Sequence, residues 1–337
     1  MITVFQDVTA DKVWQKAATS FRDGNVGRNQ ASRAGNTNEI IHAAFTIEDP
    51  RQRWVTSRIP AINPAFAIAE VVWIFLGRED AHFLRYWNKQ LDRYAGLGLK
   101  YYGAYGKRLR NHFMIDQIDR AYKTFKSNPD TRQVVLQIWD VNSDFPFENG
   151  DPRNEDIPCN LISILKLRDN KLEWMQILRS NDFILGIPYN FIQFTYLQEI
   201  IAGWLNVQLG SYNQISDSLH VYEDAKTNVD RSLPIITESN NDNIGVPRDE
   251  SEKCFKELDR RIEYFIDERM TESEHRRISE WSDAPIGFQN LLRVLASEAA
   301  RKRRWKDLAS EIMSSNTNRA LKQLWERWLE RIDNHKL

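Results

Sequence analysis

Helices and strands are mixed through residues 1–237, whereas residues 238–337 read as helix alone, so the sequence predicts a mixed α and β unit followed by an all-helical C-terminal extension. Three observations carry that expectation. Strand-like runs at residues 161–167 and 172–178 flank Asp169 and Asn170 and read as a hairpin. Strongly apolar stretches at 65–76 and 191–204 have the length and periodicity of buried helices. Past Leu233 the character changes: 238–243 is polar and disordered-looking, and everything from Pro247 is charged, rich in Trp, Glu and Arg, and helix-periodic.

Taken in order, residues 8–21 set Val13, Ala17 and Phe21 at helical spacing. Residues 22–37 lose that pattern. With Gly24, Gly27, Arg28, Arg33 and Gly35 they read either as a solvated surface loop or as a mobile loop that contacts an anion. Residues 39–47 are strand-like. Pro64 opens the next helix and Gly77 closes it. Inside it, Glu70 lies among Ala67, Ile68, Val71, Val72 and Trp73, where a carboxylate is costly unless it is paired, hydrogen-bonded or protonated. A solvent-facing polar stripe is the alternative, but the apolar turns on both sides favour a site carboxylate.

Residues 82–94 are amphipathic, and Gly96, Gly98, Gly103 and Gly106 follow around Tyr101, Tyr102 and Tyr105. Such glycines let backbone pass close to a ligand while tyrosines offer hydroxyls; alone the signal is weak. Residues 114–126 read as helix, Pro129 and Asp130 as a turn, and 132–138 as a strand led by Arg132. A further strand at 207–215 delivers Asp217, Ser218, His220 and Tyr222. In a strand, His220 and Tyr222 share a face and make a hydroxyl-binding pair.

The stretch from Pro158 to Asn190 concentrates the chemistry. Cys159 opens the hairpin, and Arg179, Ser180, Asn181 and Asp182 follow it as a cluster of donors and acceptors. Bulk numbers bound the rest. Lys plus Arg (46) nearly cancels Asp plus Glu (47), which argues against a dedicated nucleic-acid binder. The only two cysteines, Cys159 and Cys254, are too few for a disulfide framework, and no metal-ligand set is visible. There is no signal-peptide pattern and no membrane-length apolar run, so the expected location is the cytoplasm. The basic run Arg301, Lys302, Arg303, Arg304 is expected to be a solvated helix face.

These residues resemble the thymidylate synthase family. The resemblance rests on Pro158 with Cys159, on Arg179, Ser180, Asn181 and Asp182, on the run from Leu185 to Asn190, and on His220 with Tyr222. Glu70 with Val71, Val72 and Trp73 resembles the family's glutamate helix, Trp87 and Asn88 its Trp-Asp pair, and Tyr105, Gly106 and Lys107 its Tyr-Gly-Lys. The likeness runs roughly from residue 5 to 230. It implies an α+β fold, a large mixed sheet flanked by helices, with two subunits packed sheet to sheet.

The resemblance also implies the chemistry. Cys159 would add to C6 of a pyrimidine nucleoside monophosphate so that C5 can take the one-carbon unit of the co-substrate 5,10-methylenetetrahydrofolate, without a metal. Arg179 would serve both the thiolate and the phosphate. Glu70 would move protons at the base and the folate, Tyr105 would assist removal of the C5 proton, and Asp182 would act in catalysis toward the folate, with Trp87 and Asn88 on the same side. Arg33, Arg179 and Ser180 resemble phosphate contacts, and Arg132 one lent by a neighbouring subunit, which implies a homodimer with shared sites. Asn190 would read a uracil edge, and His220 and Tyr222 the sugar.

Departures from the pattern are Asn160 for a histidine, Gln133 for an arginine, Asn88 for an aspartate, and the helical extension where family members carry a short apolar closing tail. Closure matters because a sealed site gives a methyl product and an open one a hydroxymethyl product. Methylation of dUMP is the first expectation. Hydroxymethylation of dUMP, UMP, dCMP or CMP is the alternative, and a non-catalytic nucleotide-binding or regulatory protein is the reading of another class.

Overall fold

Alternating apolar positions build one eight-stranded mixed sheet, the element around which everything else packs. The computed structural model describes residues 1–24, 27–32, 35–232 and 234–334. The strands are β1 (Thr3–Asp7), β2 (Arg28–Ser32), β3 (Gly35–Ile47), β4 (Val134–Gln137), β5 (Asn160–Arg168), β6 (Lys171–Leu178), β7 (Asn181–Asp182) and β8 (Gln208–Tyr222). Their order is β1-β3-β8-β6-β5-β4, with β2 paired to β3 and β7 to β8. The expected hairpin is β5 and β6. Asp169 and Asn170 turn it with φ of 50° and 57°, the left-handed pair that matches strand twist.

The sheet also corrects the sequence reading. Residues 22–37 were expected to be a loop, yet β2 pairs antiparallel with the start of β3 from Arg28 opposite Glu39 to Ser32 opposite Gly35. Every residue of β2 is exposed, so no apolar alternation could announce it. Arg132 was expected to lead β4, but the strand begins two positions later at Val134.

The helices before the C-terminal extension include α1 (Ala10–Arg22), α2 (Pro64–Phe75), α3 (Ala81–Trp87), α4 (Gln117–Ser127) and α5 (Ile187–Leu205); α1, α4 and α5 pack on the sheet, α2 lies on α5, and α3 on α2. Asn63 caps α2 by accepting from Phe66 N, and Pro64 supplies the first turn. Every residue of α2 except Glu70 is buried, so this helix has no polar stripe. Helix α5 is nearly as apolar and lies against α2, with Phe66 and Tyr189 ring centroids 5.1 Å apart.

The C-terminal helices are α6 (Arg248–Ile266), α7 (Glu272–Ser279), α8 (Ile286–Lys302), α9 (Lys306–Ser314) and α10 (Arg319–Asn334). Of these, α6, α8 and α10 rest on α2, which is why that helix is apolar all round. Phe255 stacks on Phe75 at 4.1 Å and meets Phe288 at 5.3 Å. Two expectations fail here. The stretch 238–243 is fixed rather than disordered: Asn240 exchanges hydrogen bonds with Gln52 and donates to Arg51 O, while Ile244 N donates to Glu199. Its polar groups are satisfied by protein instead of water, a distinction composition does not carry. Nor is the basic run a solvated face. Arg301 pairs with Glu298, Lys302 donates to Tyr86 O, and Arg303 donates to Phe265 O and Asp267 O.

No helix among the described residues is long and apolar enough to cross a membrane. Among the same residues, no three His, Cys, Asp or Glu side chains gather as a metal site.

Candidate active site

Pairing of β6 and then β7 with β8 leaves Arg179 and Ser180 in the gap between two short ladders, and this break shapes the site. Arg179 N donates to Cys159 O at 3.0 Å, which fixes the cysteine just ahead of β5. The Arg179 side chain then folds back: Nε donates to Pro158 O at 3.0 Å, and Nη2 to Ile157 O at 3.1 Å, standing 4.0 Å from Cys159 Sγ. Trp139 supports the guanidinium from 5.6 Å. Burial pushes the Cys159 thiol up, Arg179 pulls it down, and Asp156 and Asp182 push it up again, with the net direction upward. Burial therefore works against the thiolate even though its arginine is in place.

Glu70 meets this site from α2. Gln193 Nε2 donates to Glu70 Oε2 at 2.7 Å, and Asn190 Nδ2 donates to Gln193 Oε1 at 3.1 Å. Two amides thus tie the carboxyl to the residue expected to read the base. Burial raises Glu70 to about 7, opposed only by the Gln193 hydrogen bond, so the group changes protonation near neutrality.

Tyr105 packs on Phe194 with centroids 6.2 Å apart. Gly106 makes this approach feasible, because a Cβ there would lie 2.3 Å from Ile74 O at the end of α2. Burial raises the Tyr105 hydroxyl far above its ordinary range, the Cys159 charge raises it further, and the neighbouring Asn160 amide opposes both. Asn160 Oδ1 accepts from Gln176 Nε2 at 2.8 Å, and Gln176 Oε1 accepts from Ser163 and Trp174. Asn160 Nδ2 is buried without a partner among the described residues.

The register sets Asp182 beside His220. Asp182 Oδ1 accepts from Ile184 N at 2.7 Å and Leu185 N at 2.8 Å, yet burial outweighs these bonds and raises its pKa. Strand β8 runs on through His220 and Tyr222, whose rings meet edge to face at 5.2 Å. Tyr222 is raised by burial, hydrogen-bonded by Ser32, and feels the charges of Asp182 and Cys159. Cys159, Arg179, Glu70, Tyr105, Asn190, Asp182, His220 and Tyr222 therefore form one connected neighbourhood. Ser180 lies in the same β6–β7 gap, half-buried.

Trp87 is buried at the end of α3, where Asn88 N donates to Leu84 O; the Asn88 side chain accepts from Gln90 N and caps the single turn of helix that follows, Lys89–Leu91. Asn63 Nδ2 donates to Trp87 O at 3.1 Å, linking this end to the start of α2. Arg132 is exposed, and no hydrogen bond among the described residues joins it to the Cys159 group. Arg33 lies outside the described residues.

Sequence reasoning missed Gln193, Asp156 and Arg58. Gln193 sits one helical turn from Asn190 in an apolar helix, the same signal that singled out Glu70. Asp156 accepts from Gly103 N at 2.8 Å, and burial raises its pKa beside the thiol. Neither Asp156 nor Arg58 stands in an apolar periodic run that would draw attention to it.

The family model described as thymidylate synthase matches residues 24–250. Similar proteins include the deoxyuridylate hydroxymethyltransferase of Bacillus phage SP01, 37% identical over 218 residues, covering 61% of this chain and 55% of the relative. That of Pseudomonas phage M6 is 35% identical over 169 residues, 50% of this chain and 47% of the relative. The thymidylate synthase of Clostridium beijerinckii is 25% identical over 163 residues, 47% of this chain and 57% of the relative. The match thus spans about half the length of these relatives. Since the family model extends across every residue of the cluster from Glu70 to Tyr222, the chain belongs to the thymidylate synthase family.

Proposed function

We propose that this protein transfers a one-carbon unit to C5 of deoxyuridine monophosphate through a covalent adduct on Cys159. The observation that carries the reading is the convergence of Arg179 on the Cys159 sulfur at 4.0 Å with a Glu70–Gln193–Asn190 hydrogen-bond chain. Nucleotide binding would bring a dianionic phosphate to Arg179 and Ser180. Cys159 loses its proton, adds its electron pair to C6, and pushes charge to C5 and O4 as an enolate. Asn190 and the Gln193 amide hold the base edge, and Glu70, titrating near 7, passes protons to and from the ring oxygen. C5 bonds to the one-carbon unit; loss of its proton by way of Tyr105 then breaks the bond between that unit and the folate nitrogen and leaves an exocyclic methylene, and addition of water or hydride to that carbon expels the Cys159 thiolate and restores the ring double bond.

Reduced folate supplies the one-carbon unit, and a hydride as well where the product is a methyl group. The residues fit it on the side of Trp87, Tyr189 and Asp182, where Arg58 and Trp87 keep buried nitrogens without hydrogen-bond partners among the described residues. Homodimerisation, with Arg132 lent to a neighbour's phosphate site, belongs to the same reading, as does residues 1–237 as the catalytic unit with 238–337 as its helical extension.

Hydroxymethylation is the preferred outcome. Its support is the higher identity to the two phage hydroxymethyltransferases, at 37% and 35%, than to the thymidylate synthase at 25%. Methylation, the first expectation from the sequence, is the second reading, supported by the family model itself. Water supplies the hydroxyl in the first case and the folate leaves unoxidised; in the second, hydride transfer leaves dihydrofolate. Incubation with dUMP, UMP, dCMP and CMP separates them. The proposal expects 5-hydroxymethyl-dUMP with no rise in dihydrofolate. Dihydrofolate formed in step with dTMP selects methylation, and no product from any nucleotide refutes both.

A further inference from the structure

We propose that the C-terminal helix α10 lends Arg331 to the folate side of the cleft, where Arg331 and Arg58 together seat the glutamyl carboxylates of a reduced folate. The inference rests on the folate-dependent reading above and adds a residue from outside the stretch matched by the family model, 24–250.

Arg58 is 1% exposed, and its Nε and Nη1 have no hydrogen-bond partner among the described residues. Its guanidinium stands 5.6 Å over the ring of Tyr189. Three residues on, Ala61 O accepts from Arg331 Nη1 at 2.6 Å, and Trp328 supports Arg331 from 5.1 Å. The turn they flank leads directly to Asn63, whose N donates to Tyr189 Oη and whose side chain donates to Trp87 O. The two guanidinium groups therefore flank the turn that joins Trp87, Tyr189 and α2.

Among the described residues neither arginine forms a salt bridge. Burial and the Arg58 charge both lower Arg331, and the Arg58 charge also reaches Asp182. Two neighbouring cations at least partly withdrawn from water and without a salt-bridge partner among the described residues are unfavourable, and an anion relieves both at once. A planar guanidinium matches a carboxylate with two parallel hydrogen bonds. A glutamyl group carries two carboxylates and matches a pair of such cations, whereas the nucleotide phosphate is expected at Arg179 on the Cys159 side.

The test is equilibrium binding to the full chain with dUMP present, using two probes: tetrahydrofolate, and tetrahydropteroate, which lacks the glutamyl group. Arg331→Met is expected to weaken tetrahydrofolate about tenfold or more and to move tetrahydropteroate by less than about twofold. Arg331→Lys should recover part of the loss. A purely structural role for Arg331 would weaken both probes alike, and that result, or no weakening of either, overturns the inference. Weakening confined to dUMP also overturns it, since it assigns the cation to the phosphate. If the wild type binds tetrahydropteroate no differently from tetrahydrofolate, the folate reading stands and only this seat fails. If it binds neither, both fail.

Discussion

The cleft and the C-terminal helices bury charge in opposite ways. In the helices, Arg331 apart, the charged groups buried in the packing are paired with opposite charges or carbonyl oxygens. Glu298 takes both Arg301 and the Trp328 indole, and Arg261 bonds Glu257 and two carbonyl oxygens. Even His275 is kept neutral, lowered to about 4 by burial while its Nε2 meets Ala296 O. In the cleft, among the described residues, Glu70 accepts from a neutral amide, and Arg58 lies over the face of a tyrosine with two of its nitrogens unbonded. Burial that is left partly uncompensated keeps groups ready to exchange protons or to accept a ligand, and burial that is fully compensated makes a scaffold.

Deleting the scaffold breaks the comparison most severely. Helices α6, α8 and α10 cover α2, so a chain ending at residue 237 would expose Phe75 and the rest of that apolar helix. It is expected to lose its cooperative thermal transition altogether, followed by circular dichroism. A well-folded truncated protein would show that the helices are dispensable to the core.

The two cysteines sharpen it next. Burial pushes both thiols up, Cys254 to about 11, but only Cys159 has an arginine at its sulfur. Cys159→Ala should reduce turnover by about 10⁴-fold or more, whereas Cys254→Ala should leave kcat unchanged and cost about 1 kcal/mol of stability. Steady-state kinetics and urea melts of the two variants check this.

Glu70→Gln gives a smaller loss of turnover than Cys159→Ala, with the most diagnostic sign. Removing the carboxyl should lower kcat by about 10²- to 10³-fold and abolish the ionisation near pH 7 in the rate profile. Stability should move the other way. A carboxyl raised from 4.5 to about 7 on folding stabilises the protein at low pH, and this contribution is lost as pH rises through 7. Above pH 7 the variant should therefore match or exceed the wild type, by up to about 3 kcal/mol, in denaturant titrations at pH 6 and 8.

Much of this site was legible because its residues contradict their surroundings. Glu70 stood out as the one charge in an apolar helix, and the β5–β6 hairpin announced itself through Asp169 and Asn170. The strand carrying His220 and Tyr222 is legible in its first half, residues 207–215, and continues through both of them. What escaped lacked any local contrast. Strand β2 has no buried face, and the fixed stretch before α6 looks identical to a solvated one until its partners Gln52 and Glu199 are known. Arg331 acquires a role only through a contact across 270 residues, which no window of sequence contains.

The central claim is that Cys159 forms a covalent bond to the pyrimidine while Cys254 stays inert. Mass spectrometry after mixing the protein with 5-fluoro-dUMP and 5,10-methylenetetrahydrofolate measures this directly, since the fluorine at C5 blocks release of the adduct. The account predicts one nucleotide and one folate attached per chain, mapped to the peptide that contains Cys159 and absent from Cys159→Ala. An unmodified chain, or label on Cys254, would contradict it.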